Sequence, residues 1–226
     1  VTGSGKTEVY LQAIESVLNQ GKQVLVLVPE IGLTPQTVQR FKARFHVEID
    51  ALHSNLNETE RLNAWLRAKN GESAIVIGTR SALFTQFDDL GMIIIDEEHE
   101  NSYKQTESPR YDTKDIATKR GIYSKCTVLY ASATPTIDLY YFFKNNNSNN
   151  LLTLTQRYNN NLPKISISHV DDKNQVISNE LLNKIKEKVS RNEQVLLLMN
   201  KRGYTNFIRC FSCGHIYKCE NCDISL

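Results

Sequence analysis

The chain has 226 residues, of which 40% are hydrophobic and 23% charged, and a formal net charge of +2. That length suffices for one full α/β domain and part of a second, and so mild a charge argues neither for nor against a nucleic-acid partner. No apolar run approaches the roughly 18 residues that span a bilayer, and no charged-then-apolar leader opens the chain, so no membrane partner is expected and the protein reads as cytoplasmic.

The chain opens without a Met, inside a phosphate-binding pattern. Thr2-Gly3-Ser4-Gly5-Lys6-Thr7 is the end of G-x-x-x-x-G-K-[ST], whose first Gly would precede residue 1, so the sequence reads as a piece of a longer protein. The chemistry needs these residue types. Glycines let backbone N–H groups curl round phosphate oxygens, Lys6 reaches the β and γ phosphates of ATP, and the Thr7 hydroxyl ligates Mg²⁺. A helix starting here adds the positive end of its dipole. The spacing predicts that helix over 7–20, with Val9, Tyr10, Ala13, Ile14, Val17 and Leu18 on one face.

Short β-branched apolar runs follow at 23–28, 49–53, 74–78, 92–96 and 127–131, as expected of buried parallel strands. A helix over 57–69 carries Leu62, Trp65 and Leu66 on one side, with Asn57 as N-cap and Glu60 completing a capping box. Strand alternating with helix predicts an α/β fold with a doubly wound parallel sheet, and the phosphate-binding pattern makes it a P-loop NTPase lobe. The fourth run ends in Asp96-Glu97-Glu98-His99. Asp96 is expected to hold Mg²⁺ and Glu97 to orient or deprotonate the attacking water, since ligands of open α/β sheets bind at the carboxyl ends of strands. After the fifth run, the hydroxyls of Ser132 and Thr134 can bond to the acidic cluster and relay nucleotide state. Alone, each of these could be a solvated strand end or a capped turn. The order of the three motifs gives them weight.

Residues 144–150, Lys-Asn-Asn-Asn-Ser-Asn-Asn, read as a surface loop. A second α/β pattern begins with a strand-like 165–170, a helix near 178–190 bearing Leu181, Leu182, Ile185 and Val189, and a strand-like 195–199. The expected organisation is a first lobe over 1–145, a linker over 146–164, the start of a second lobe over 165–209 and a cysteine-rich module over 210–226. Cys210, Cys213, Cys219 and Cys222 form two C-x-x-C pairs suited to Zn²⁺, and clustering of this kind favours metal over disulfides. Only five residues separate the pairs, against the 15–20 of the usual ribbon, so a single Cys₄ site is the simplest reading but a cramped one. Cys126 reads as a core thiol, and His53 and His215 as structural.

Asp96-Glu97-Glu98-His99 resembles the D-E-x-H box of superfamily 2 helicases, and Ser132-Ala133-Thr134 their motif III. The match narrows to the primosomal replication-restart DNA helicases at Val28-Pro29-Glu30-Ile31-Gly32-Leu33-Thr34-Pro35-Gln36, Leu52-His53-Ser54, Gly78-Thr79-Arg80-Ser81-Ala82-Leu83-Phe84, Ser102-Tyr103-Lys104-Gln105 and Leu198-Met199-Asn200-Lys201-Arg202-Gly203-Tyr204. It covers essentially the whole chain, in order. The resemblance implies a RecA-like helicase lobe followed by the start of a second lobe with a zinc-binding insertion, in an ATP-dependent 3′-to-5′ DNA helicase that restarts stalled replication forks and starts primosome assembly. Its implied partners are forked DNA and single-stranded/double-stranded junctions, primosome proteins and the single-stranded-DNA-binding protein. It implies that 28–36 and 78–84 touch the DNA backbone, through Thr34, Thr79, Arg80 and Ser81. Residues 101–120 would link DNA to ATP hydrolysis, with Tyr103, Arg110 and Tyr111 stacking on bases. Glu98 and His99 would act with Ser132 and Thr134 as coupling residues. Ser108 and Pro109 depart from the family pattern, where Gly and a bulky aromatic are expected. The resemblance also implies two zinc sites, each cysteine pair completed by a later one, so the four cysteines alone would hold zinc poorly. No arginine-finger motif is found, and the 226 residues are expected to bind ATP but hydrolyse it weakly. Two other readings stay open: another superfamily 2 translocase, such as an RNA helicase or restriction-type motor, and a zinc-bearing primosome scaffold.

Overall fold

The structure is a computed structural model that describes residues 3–29, 32, 35–146, 150–157, 163–170, 177–198 and 213. It divides into two compact units, Val1–Leu162 and Pro163–Leu226.

The first unit is built on five parallel strands: β1 Gln23–Leu27, β2 Ile49–Leu52, β3 Ile75–Gly78, β4 Leu90–Asp96 and β7 Thr127–Ala131. They lie side by side in the order β2-β3-β1-β4-β7. β1 is the central strand and its residues 24–27 are fully buried, which is why it reads as an unbroken apolar run rather than an alternating one. Register brings the carboxyl ends into line: Leu52 pairs with Gly78, Leu27 with Gly78 and Ile95, and Asp96 with Ala131. Residues that follow those ends therefore share one edge of the sheet. The winding reverses about β1, which places a crevice between β1 and β4, where open sheets of this kind take ligands.

Alternate strand residues face two cores. On one face Val24, Val26, Ile75, Ile77 and Ile94 meet Tyr10, Leu11, Ile14 and Val17 of α1 (Lys6–Leu18) and Phe41 of α2 (Pro35–Arg44). On the other, Leu25, Leu27, Val76, Ile93 and Ile95 meet Ala64 and Ala68 of α3 (Glu58–Lys69), Ala117 of α4 (Thr113–Ser124), the 3-10 turn Arg80–Phe84 and Tyr103. Gln23 is buried yet satisfied: its amide nitrogen donates to Ala68 O at 2.8 Å and Ser73 O at 2.7 Å, and its oxygen accepts from Asp88 N and Asp89 N. α3 carries the expected capping box, Glu60 N to Asn57 Oδ1 at 2.8 Å and Asn57 N to Glu60 Oε2 at 3.1 Å.

Several expectations need correction. A short antiparallel ribbon, β5 Lys104–Gln105 with β6 Tyr111–Asp112, stands between the acidic box and α4 and left no signal in the sequence. The loop expected over 144–150 is corrected at its start, where 144–146 belong to α5 (Ile137–Asn146); 147–149 lie outside the described residues. In the second unit α6 (Asn179–Ser190) forms with Ser178 as N-cap. The described parts of 165–170 and 195–199 are not strands, for they have no ladder partner among the described residues, and Ile165, Ile167, Leu196 and Leu198 stand in solvent. Among the described residues no helix is long and apolar enough to cross a membrane.

Candidate functional site

The loop entering α1 is shaped by two glycines. Gly3 and Gly5 both take left-handed backbone, φ 75° and 87°, and a Cβ at either would meet nothing within 4 Å. The result is an open cradle at a helix N-terminus, with Ser4, Lys6 and Thr7 half-buried around it. Its free N–H groups and the dipole suit a phosphate anion. Thr2 lies outside the described residues.

Across the crevice stands the end of β4. Lys6 Nζ is ion-paired with Glu97 Oε1 and lies 3.4 Å from Asp96 Oδ1. Asp96 is held on both oxygens, Oδ1 accepting from Glu97 N at 3.0 Å and Oδ2 from the Tyr10 hydroxyl at 3.2 Å. Burial, and then the Asp96 charge, push the Tyr10 phenol well above its ordinary range, so it stays a donor. Glu97 itself has φ +48°, a left-handed conformation that costs a non-glycine residue of order 1 kcal/mol or more. A cationic cradle facing two carboxylates fits a nucleotide phosphate chain with a divalent cation.

The next two residues of the box reach the end of β7. His99 Nδ1 is 2.8 Å from Ser132 Oγ, and that oxygen also accepts from Thr134 N at 3.0 Å. Thr134 contributes its backbone here, and its residue is exposed. Glu98 is buried, 2% exposed, and fully engaged: Oε1 accepts from Thr136 N at 2.7 Å, and Oε2 accepts from Thr136 Oγ1 at 3.0 Å and Lys114 Nζ at 3.1 Å. The box is thus tied to the segment after β7 at two adjacent residues. Lys114 and Thr136 carry no sequence signal for this role, since the contact joins residues remote in the chain. Tyr10 was visible in the sequence only as one of the apolar face.

The residues expected on nucleic acid divide. Arg110 is exposed, Tyr111 half-buried and Ser81 exposed, whereas Thr79 is buried. Thr34 lies outside the described residues. Tyr103 is a correction: expected to stack on bases, it is 1% exposed and belongs to the core. Its hydroxyl lies 2.6 Å from Asp96 O and 3.0 Å from Leu27 O, stapling the ends of β4 and β1, and Thr113 Oγ1 donates to its carbonyl at 2.7 Å. Burial first, and then the Asp96 and Glu97 charges, raise this phenol as well. Arg80 is also committed within the protein, its Nη1 donating to Ser102 O at 3.1 Å and Lys104 O at 3.0 Å. A second guanidinium, not foreseen, holds the same turn: Arg120 donates to Leu83 O and, at 2.5 Å, to Thr85 O.

Of the cysteine pairs only Cys213 is described, and it is exposed; Cys210, Cys219 and Cys222 lie outside the described residues, as does His215. Among the described residues no group of His, Cys, Asp and Glu is arranged to hold a metal by protein ligands alone. Cys126 is half-buried, with its thiol raised by burial against the lowering field of Arg120.

Comparison with known proteins places this geometry. Residues 1–141 match the family described as DEAD/DEAH box helicase. The chain is 52% identical over 229 residues to the replication restart protein PriA of Haemophilus influenzae, covering 99% of this chain and 31% of that protein. It is 46% identical over 232 residues to the replication restart protein PriA of Bacillus subtilis, covering 100% of this chain and 29% of that protein. The chain therefore spans less than a third of the length of these relatives. Among solved structures it is similar to RecG bound to a three-way DNA junction, at 25% identity and a TM-score of 0.45, covering 62% of this chain and 18% of that one. With a family match extending over more than half of its residues, the chain belongs to the DEAD/DEAH box helicase family.

Proposed function

We propose that the chain is the ATP-binding part of a replication restart DNA helicase, one that couples ATP hydrolysis to 3′-to-5′ unwinding at stalled forks and to primosome assembly. The observation that carries this is the Lys6–Asp96–Glu97 cluster beneath the glycine cradle, linked through His99 and Ser132 to a second strand end. The names of the relatives at 52% and 46% identity supply the biological setting.

In this reading the N–H groups of residues 3–7 and the Lys6 ammonium bind the phosphates of ATP, and Thr7 and Asp96 are placed to hold Mg²⁺. The cation, when bound, would withdraw charge from the transferred phosphoryl group. Glu97 orients the attacking water and accepts its proton. Its ion pair with Lys6 is a resting contact: phosphate competes for the ammonium and releases the carboxylate for that work. Glu98, His99, Ser132 and Thr134 pass the state of the site to nucleic acid held along the strand ends, where Thr34, Thr79, Ser81, Arg110 and Tyr111 are the proposed contacts. Arg80 acts there by fixing the turn to the ribbon. Residues 165–209 would open a second lobe. Cys210, Cys213, Cys219 and Cys222 would bind zinc as halves of two sites. Primosome proteins and the single-stranded-DNA-binding protein would be the partners.

The decisive experiment measures ATP hydrolysis and strand separation by the whole protein on forked DNA, with Lys6→Ala beside the wild type. DNA-stimulated hydrolysis lost in the variant, with 3′-to-5′ unwinding by the wild type, is the expected result. Hydrolysis stimulated only by RNA, or fork loading indifferent to Lys6→Ala, would overturn it. Metal analysis of the same preparation should find two zinc ions per chain.

A further inference from the structure

The Arg80–Phe84 turn is among the most firmly held parts of the first unit, yet it sets an aromatic ring in water. Ala82, Leu83 and Thr85 are 2%, 1% and 3% exposed, while Phe84 between them is 54% exposed. A lone exposed phenylalanine is ordinary. What distinguishes this one is how its backbone is fixed. The Arg120 guanidinium grips the carbonyls on either side of it, those of Leu83 and Thr85. Arg120 is in turn fixed over the Phe87 ring, 5.3 Å from its centroid. Arg80, at the other end of the turn, ties it to the ribbon through Ser102 O and Lys104 O. The Phe84 ring meets Tyr111 of the ribbon at 5.2 Å with an interplanar angle of 84°. In such an edge-to-face pair at least one face of Phe84 is left free of Tyr111, whichever ring supplies the edge.

Cations and a hydroxyl stand on the same ribbon and turn. Arg110 and Lys104 are exposed on the ribbon and Ser81 is exposed on the turn. Of the carboxylates on the ribbon, Asp112 is occupied in capping α4 through Lys114 N at 2.9 Å, and Glu107 is exposed between the two strands; beyond the turn Asp88 is exposed, and Asp89 lies 3.8 Å from Lys22. A half-exposed ring on a fixed backbone, with cations and a hydroxyl on the same turn and ribbon, is the kind of pairing by which single strands are held: bases stack while the backbone follows the charge. We infer that Phe84 is a stacking platform for one unpaired base of single-stranded nucleic acid, with Tyr111 buttressing the ring. This rests on the nucleic-acid reading above.

The test measures binding of single-stranded DNA by the whole protein, using fluorescence anisotropy at fixed salt. One oligonucleotide is intact and the other has several consecutive abasic sites in its central stretch. Phe84→Leu should weaken the intact strand about tenfold, the scale of one lost base stack. It should leave the abasic strand unchanged. Phe84→Trp should restore the intact strand. Equal losses on both strands, or no loss on either, would overturn the platform while leaving DNA binding itself standing. A wild type that binds no single strand would overturn both. A strand carrying 5-iodouracil should crosslink at Phe84 or Tyr111, and crosslinking confined to other segments would place the base elsewhere.

Discussion

At the scale of single residues, the site is organised by charges that neutralise each other across the sheet edge. Glu97 is the clearest case. Its carboxylate is paired with Lys6, and its backbone is held in a left-handed conformation. Glu97→Gln keeps the shape but removes both the proton acceptor and the charge that occupies the ammonium. Hydrolysis by the whole protein should fall at least about a hundredfold. ATP affinity should be unchanged or tighter, because Lys6 then faces Asp96 alone, at 3.4 Å. Weaker nucleotide binding, read by titration with a fluorescent ATP analogue, would show that the Lys6–Glu97 contact is not a resting one. Glu98 makes a different claim. Its side chain is 1% exposed and its one cation partner among the described residues is Lys114, 17% exposed. Lys114→Met leaves a buried carboxylate with the two Thr136 donors alone, and should cost about 3 kcal/mol of stability. Adding Glu98→Gln should recover more than half of that loss, since the charge goes with its partner. Urea unfolding of the four variants of this cycle reads the coupling directly.

At the scale of elements, the strands were plain in the sequence because all but β2, which carries Asp50, are apolar β-branched runs bounded by polar turns, and the P-loop and acidic box because each is contiguous. α1 and α3 showed themselves by an apolar stripe and a capping box. α4 did not: what it buries is Thr113, Ala117 and Gly121, small residues every fourth position that make no visible hydrophobic face. α2 is similar, a charged helix with Phe41 as its buried residue. The ribbon of β5 and β6 is two residues a side, below the length at which a period can be read. Tyr103 looked like the other tyrosines of its segment, and only the fold shows that its hydroxyl belongs to the strand ends. Glycines gave a partial signal. Gly78 ends β3 where a Cβ would lie 2.3 Å from Ala82 Cβ and 2.9 Å from Leu52 O, so the turn that follows can close against β2 only over a bare backbone. Gly78→Ala should destabilise the domain by about 1–3 kcal/mol, as overpacking does. Because the turn that carries Phe84 must shift to admit the methyl, single-stranded DNA affinity should fall with it, while ATP affinity, set two strands away at the end of β4, holds. Equal effects on both ligands would indicate general unfolding.

At the scale of the whole molecule, the two units differ in what holds them. The buried hydrophobic residues of the described chain all lie between Tyr10 and Ala131, so both cores, as far as the described residues go, are built by the first unit. The described part of the second unit buries Ser178, whose hydroxyl caps α6 and lies 2.8 Å from Ser168 Oγ, but leaves Leu181, Leu182 and Val189 of that helix exposed. A helix of 12 residues whose apolar face stays in water gains little from packing and is marginal by itself. Residues 1–162 alone should therefore fold, and should melt within about 4 °C of the 226-residue chain, the shift expected for a change of about 1 kcal/mol in a domain this size. They should also bind ATP with undiminished affinity, because the cradle, Lys6, Asp96 and Glu97 all lie within them. Calorimetry and nucleotide titration of the truncated chain test this together. A fall of 10 °C or more, or loss of ATP binding, would mean that residues 163–226 support the first unit.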